Sequence, residues 1–385
     1  MALPDYHGGS LVNLMSTIAV ACGGTSAYAP LRGFDPAQLA AKRNLVLLLV
    51  DGLGYNWLTR NGPDSFFRRH LRQRITSVFP STTATAITTV MTGLAPQQHG
   101  LTGWHMYYAE LDTVAATLPF RSRATDQPLS RMGANPALLF DHAPLYDGLQ
   151  VAAHLIAPRS IVNSEFNLAH SGRATRHGYT KLAELFEKIE SALAAGSSRK
   201  FVYAYFSEID ALAHEYGIAS PQVAAAFARL DAACRRFVAR IAGSDTYLIV
   251  TADHGFIDSP PECVIELDHH PELAVMLAQP LCGERRVAYC YVRPGCHAGF
   301  ERYVTMKLGA HATLHRSADL IAQNWFGPGA PHPRLAERIG DYTLVLKDGR
   351  TLKDWLPNEK RYVHIGVHGG ISDDEMYVPL IALAA

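Results

Sequence analysis

Aspartate and histidine recur in this chain in pairings that suit divalent metal ions. Asp210 and His214 stand four residues apart, so on a helix or turn both side chains reach one point, as two ligands of one ion must. Asp253 and His254 directly follow the apolar run Tyr247 to Thr251. In extended chain adjacent side chains diverge, so this pair can serve two ions or opposite sides of one. His368 lies in the glycine-rich stretch His364-Ile365-Gly366-Val367-His368-Gly369-Gly370, which permits close backbone approach to a ligand; His364 reads as structural. Asp51, directly after Val50, reads equally well as a ligand or as the cap of a following helix. One of Ser81, Thr82 and Thr83 opens a small-residue helix after Pro80, where free N–H groups and the positive dipole end favour a phosphoryl anion. Taken singly, each of these three hydroxyls reads more readily as an ordinary N-cap.

These residues need a frame that delivers them to one place. Leu45 to Val50, Phe201 to Phe206 and Tyr247 to Thr251 are apolar, β-branched-rich runs of the kind that form buried parallel strands, and each leads at once into candidate residues. A strand-like Ile75 to Phe79 precedes the hydroxyl cluster. Helical periodicity spans Pro221 to Ala242 and about Tyr179 to Ala194. Alternating strands and helices predict an α/β fold, a doubly wound and mostly parallel sheet flanked by helices, whose ligands gather at the carboxyl ends of the strands. We expect a single catalytic domain over residues 1–385, with a cap inserted at roughly 262–345, where the chain turns mixed in character and carries a strand-like Arg286 to Val292.

Composition narrows the function. A hydrophobic content of 48% supports a large core, and a net charge of +0 without like-charge runs excludes the electrostatic footprint of a nucleic-acid binder. The apolar stretch Leu11 to Cys22 is interrupted by Asn13, Ser16 and Thr17 and has no basic leader, so neither a signal peptide nor a membrane span is expected, and the expected location is cytoplasmic. Six cysteines without a CxxC pair argue against a thiolate zinc site.

Taken in chain order, Asp51, the hydroxyl segment Phe79-Pro80-Ser81-Thr82-Thr83, Asp210-x-x-x-His214, Asp253-His254 and His368 resemble the alkaline phosphatase superfamily, specifically its nucleotide pyrophosphatase/phosphodiesterase branch. Met91-Thr92-Gly93-Leu94-Ala95-Pro96-Gln97-Gln98-His99-Gly100 is similar to the stretch downstream of that branch's nucleophile, and Tyr205-Phe206-Ser207-Glu208-Ile209-Asp210 with His214-Glu215-Tyr216-Gly217 to its second metal motif. The resemblance implies two divalent ions, zinc by type. Asp51, Thr83, Asp253 and His254 would surround one ion, and Asp210, His214 and His368 the other. It implies Thr83 as nucleophile, a phospho-threonine intermediate and a small phosphate ester as substrate. Trp104, His105, Tyr107 and Tyr205 would stand around that substrate. Two positions depart from the branch. Gly103-Trp104-His105 occupies the place of an Asn that holds a phosphoryl oxygen, and Ala84 stands where an aromatic residue commonly stacks on a nucleobase.

Ser77 to Gly103 contains no Lys or Arg, and Phe201 to Asp231 only Arg229, so diesters are expected to be preferred over the more highly charged monoesters. Arg285, Arg286 and Lys307 in the cap could alter that balance. The alternatives are a phosphomonoesterase or phosphonate hydrolase of the same superfamily and, in another class, a non-catalytic metal-stabilised binding protein.

Overall fold

In the computed structural model, which describes residues 1–357 and 359–385, Asn44–Val50, Lys200–Phe206 and Thr246–Thr251 lie side by side as parallel strands. Asn44–Val50 is buried along its whole length, which explains its continuous apolar run: helices cover both faces. Ala152–Pro158 and Thr175–Tyr179 extend the parallel set past Lys200–Phe206. On the opposite flank Tyr377–Ala384 runs antiparallel to Thr246–Thr251, and Leu71–Thr76 runs antiparallel to Tyr377–Ala384 in turn, completing a seven-stranded sheet. Leu71–Thr76 therefore points the same way as the parallel strands. The carboxyl ends that lead to Asp51, Thr83, Asp210 and Asp253 all lie on one edge.

The helices expected from periodicity form as Leu182–Ala194 and Pro221–Arg240, and each turns its apolar stripe inward. Phe186 and Phe237 join the two, with ring centroids 5.1 Å apart. Ser220 caps the longer helix by accepting from the Val223 N–H. The stretch near the N-terminus becomes the helix Leu11–Ala21, which is buried in the main core, and among the described residues no helix is long and apolar enough to cross a membrane. The strand-like Ile75 to Phe79 is shifted relative to expectation: the strand ends at Thr76, and the chain leaves the sheet before Pro80.

A second, antiparallel sheet of seven strands stands over the carboxyl edge. Its strands come from two separate parts of the chain, His105–Tyr108, Thr113–Ala116 and Arg121–Ser122 from one, Cys282–Gly283, Val287–Cys290, Ala312–Arg316 and Tyr342–Leu346 from the other. The two parts meet where Gly283 pairs with His105. Separate apolar clusters, around Phe300 and Leu344 and around Phe79 and Tyr289, support this sheet, so it packs as its own layer.

Candidate active site

Each chemical side chain at the shared edge is placed by a local device. Thr83 is the first residue of the buried helix Thr83–Thr92, whose first-turn N–H groups have no partner within the helix. Thr82 occupies the N-cap, but its hydroxyl is turned away from the helix and donates to Glu284 Oε1 at 2.7 Å. Ser81 donates to the Gly370 carbonyl at 2.7 Å, which ties the Thr83 turn to the loop carrying His368. Of the three hydroxyls that the residues alone left open, only that of Thr83 faces the metal-type cluster, 3.1 Å from His254 Nε2.

Asp210 and His214 share the first and later turns of the helix Glu208–Tyr216, with His214 Nε2 3.4 Å from Asp210 Oδ1. His214 is oriented through Nδ1, 2.9 Å from the Gly366 carbonyl. Gly366 must be glycine there, since a Cβ would lie 2.3 Å from the Ala213 carbonyl oxygen. That close approach brings His368 to 3.2 Å from His214 Nε2 and 3.8 Å from Asp210 Oδ1. On the other side, His254 Nε2 lies 3.4 Å from Asp51 Oδ1 and 3.5 Å from Asp253 Oδ2. Asp253 Oδ1 is held by the N–H groups of Gly52 and His254, and Asp51 Oδ2 accepts a hydrogen bond from the Tyr205 hydroxyl. All seven predicted positions thus converge. His254 stands between the two sets, its ring stacked on that of His368 with centroids 3.8 Å apart.

The donor set fits divalent cations. Among the described residues Asp51 Oδ1, Asp210 Oδ1 and Asp253 Oδ2 are all buried without a hydrogen-bond partner, a costly state unless a cation receives them. Ligand atoms of Asp51, Asp253 and His254, and those of Asp210, His254 and His368, lie within 4.8 Å of one another. The protein alone opposes this concentration of charge. Burial, then the neighbouring Asp210 and Asp253, pushes the Asp51 carboxyl well above its ordinary range, and burial with Asp253 does the same to Asp210. Burial also holds His214 down to about 4 and His368 well below its usual value, so both imidazoles are neutral and able to coordinate.

Two cavities open on Thr83. One, of about 340 Å³, reaches beneath the second sheet and is lined by His105, Glu284, Arg285, Lys353 and His364 as well as Asp210, His214 and His368. The other, of about 480 Å³, is largely apolar, with Ile87, Leu155, Pro158, Ile161, Phe166 and Tyr205 in its walls. Trp104 borders both. Tyr107 borders neither; it donates to Asp112 and packs edge-on against Tyr291 within the second sheet. The basic side chains missing from the motif segments arrive through the fold. Arg285 comes from the hairpin turn between Cys282–Gly283 and Val287–Cys290, Lys353 from the short strand Thr351–Lys353, which pairs with Val264–Glu266, and Arg123 from just beyond Arg121–Ser122, whereas Arg286 is buried against Glu375 with two 3.0 Å contacts. Glu284, which burial pushes up to about 7, also escapes sequence reasoning, because no local pattern marks a hairpin turn that folds back over the nucleophile.

The fold recurs in known structures. Human ectonucleotide pyrophosphatase/phosphodiesterase 5 is 18% identical with a TM-score of 0.65, covering 88% of this chain and 87% of its own. The murine protein matches at 18% and 0.64, over 87% of both chains, and has also been solved in complex with AMP. Phosphonoacetate hydrolase from Sinorhizobium meliloti 1021, in complex with phosphonoformate, is 16% identical with a TM-score of 0.63 over 89% of this chain and 90% of its own. Both kinds of neighbour belong to the alkaline phosphatase superfamily. No curated protein matches by sequence. The sequence model of one family nevertheless spans residues 45–370, from the first core strand through the His368 loop, and the chain belongs to the type I phosphodiesterase/nucleotide pyrophosphatase family.

Proposed function

We propose that the protein is a metal-dependent hydrolase of phosphodiester or pyrophosphate bonds in small molecules, with Thr83 as nucleophile. The observation that carries this reading is the convergence of three buried carboxylate oxygens, unpartnered among the described residues, and three histidines beside the Thr83 hydroxyl at a helix start. Asp51, Asp253, His254 and Thr83 would hold one divalent ion, and Asp210, His214 and His368 the second. The mixture of imidazole nitrogen and carboxylate oxygen suits zinc. Bound ions supply the charge that lowers the hydroxyl pKa and neutralises the transition state.

The residues do the rest. Thr83 Oγ1 attacks phosphorus in line, the bond to the leaving oxygen breaks, and water then hydrolyses the phospho-threonine. The helix start beneath Thr83 aims N–H dipoles at the phosphoryl oxygens. Trp104 and Tyr205 form apolar surface beside the nucleophile, and the larger cavity offers room to bury an organic ester group, which favours diesters. The six cysteines, none of them paired in a disulfide, suit a reducing, cytoplasmic setting.

Cations along the smaller cavity favour a second reading, hydrolysis of phosphonates that bear another anionic group. The test is the ratio of kcat/KM for bis(p-nitrophenyl) phosphate to that for p-nitrophenyl phosphate on one zinc-saturated preparation. A ratio above one is expected, and a ratio well below one overturns the diesterase reading.

A further inference from the structure

The cations around the smaller cavity are not equivalent. Arg123 is fully engaged, with Nη2 2.7 Å from Asp354 Oδ1, Nε 2.8 Å from Glu359 Oε1 and Nη1 2.9 Å from the Leu281 carbonyl. Lys353 Nζ lies 3.4 Å from Glu359 Oε2 and 4.7 Å above the Trp355 ring. Arg285 is different. Among the described residues its guanidinium has no hydrogen bond and no ion pair, and its Nη2 is buried without a partner. It lies over two aromatic faces, Tyr362 at 5.0 Å and Trp355 at 5.9 Å, and its charge reaches Glu284, His214, His364 and Lys353 without a hydrogen bond to any of them.

The adjacent carboxylate does not relieve it. Glu284 turns the other way and accepts from the Thr82 hydroxyl and the Trp104 N–H, each at 2.7 Å. Asp354 is already taken by Arg123 and by the Leu281 N–H. This wall therefore carries one more cation than it has carboxylates to pair, and the depression of Lys353 to about 8, by burial first and Arg123 second, agrees with that surplus. The backbone that carries the guanidinium is held in place. The Leu352 N–H donates to the Arg285 carbonyl at 2.8 Å, and the next residue, Arg286, is locked to Glu375. An unpaired guanidinium on an anchored backbone, in the same cavity as the nucleophile, is suited to bidentate capture of a carboxylate or phosphate.

We propose that Arg285 is the centre of a second anion subsite, and that it selects substrates carrying a carboxylate or a further phosphate beyond the phosphoryl group under attack. The proposal rests on the reading of Thr83 as nucleophile of that same cavity. Arg285 is thus a specificity-determining residue, acting on a part of the substrate that does not react.

The test uses three p-nitrophenyl esters that differ only in this group, those of methylphosphonate, phosphonoacetate and methylenebisphosphonate, with the full-length zinc-saturated protein. The wild type is expected to turn over at least one of the two anionic esters with a kcat/KM about tenfold or more above that of the methylphosphonate ester. Which anionic ester leads tells carboxylate from phosphate. In Arg285→Gln that ratio should fall to near one, mainly through KM, and Arg285→Lys should restore part of it. A ratio near one in the wild type overturns the proposal, as does a full ratio retained in Arg285→Gln. If Arg285→Gln does not fold, an unchanged ratio in Arg285→Lys, together with unchanged KM values, overturns it equally. Failure of the wild type to hydrolyse all three esters would instead remove the assignment of Thr83, and the subsite with it.

Discussion

The two sheets contribute to one site in different ways. At the core sheet's edge, each candidate ligand follows its own strand by a few residues, and geometry is set by short connections: Asp51 after Val50, Asp253 after Thr251, Asp210 on the helix that begins at Glu208. The second sheet contributes Glu284 and Arg285 from a hairpin turn more than a hundred residues from Trp104, its neighbour in space. The first kind of site is built locally and repeated at adjacent strands. The second is assembled by long-range packing. On the proposed function, this division separates the chemistry that cuts a phosphate ester from the surroundings that choose which ester is cut.

The strongest way to break that division is to remove the metal. Dialysis against a chelator should abolish turnover of bis(p-nitrophenyl) phosphate, and readdition of zinc should restore it. The metal-saturated protein should also be more stable by about 3 kcal/mol when free zinc exceeds its Kd about 100-fold, measurable as a rise in denaturant midpoint. Activity that survives chelation, in protein free of transition metal by elemental analysis, would end the two-ion reading.

Thr83→Ala attacks the core side alone. It should lower kcat by ~10³-fold or more, while stability changes by only about 1 kcal/mol, the usual cost of a lost hydroxyl at a helix start. Thr83→Ser should keep part of the activity. Turnover by Thr83→Ala at the parental rate would transfer the role to Ser81 or Thr82, although their hydroxyls are committed to Gly370 and Glu284.

Arg286 joins the two sheets. Its guanidinium binds both oxygens of the buried Glu375, which in turn accepts from the Gly370 N–H at 2.8 Å, two residues from His368. Arg286→Met leaves that carboxylate buried and unpaired, so a loss of about 3–5 kcal/mol is expected in urea unfolding. Arg286→Met with Glu375→Met should recover much of it. A single variant as stable as the parent would show that the layers are independent.

The smallest expected effect lies outside both. His170 is buried and His142 half-buried, with their Nε2 atoms 2.7 Å apart, so one donates and the other accepts while both are neutral. Burial lowers His142 to about 3 and His170 to about 4. Depressed imidazoles contribute stability that is present above the unfolded value near 6.5 and lost as pH falls through the folded values, for an acid-limb effect on the order of 2 kcal/mol. A Tm-against-pH profile of His170→Phe should be flatter between about pH 6.5 and 4 than that of the parent. Identical slopes would place the acid sensitivity elsewhere.

What was legible in the sequence follows the same division. Buried parallel strands are continuous apolar runs, so Leu45 to Val50 announces itself, and the residues just beyond it inherit a position. Leu71–Thr76 was only glimpsed, because its exposed half alternates with Arg72 and Arg74. Tyr377–Ala384 contains Pro379, which is tolerated because only the Leu71–Thr76 side is paired there; the Thr246–Thr251 side begins at Ile381. The joining of His105–Tyr108 to Cys282–Gly283 depends on contacts between distant segments. The lack of basic residues near the motifs was a true local fact, but the cavity's cations come from positions 123, 285 and 353.

Trp104 stands at the border of both cavities, so the site has two sides that meet at Thr83. A reaction in two steps can use them in turn. On the proposed chemistry, the alcohol freed by the first step can depart along the apolar side, while the phosphoryl half, still attached to Thr83, stays anchored on the Arg285 side until water releases it. Traffic of the two products would then be separated in space as well as in time, and the indole ring would be the divider between the lanes.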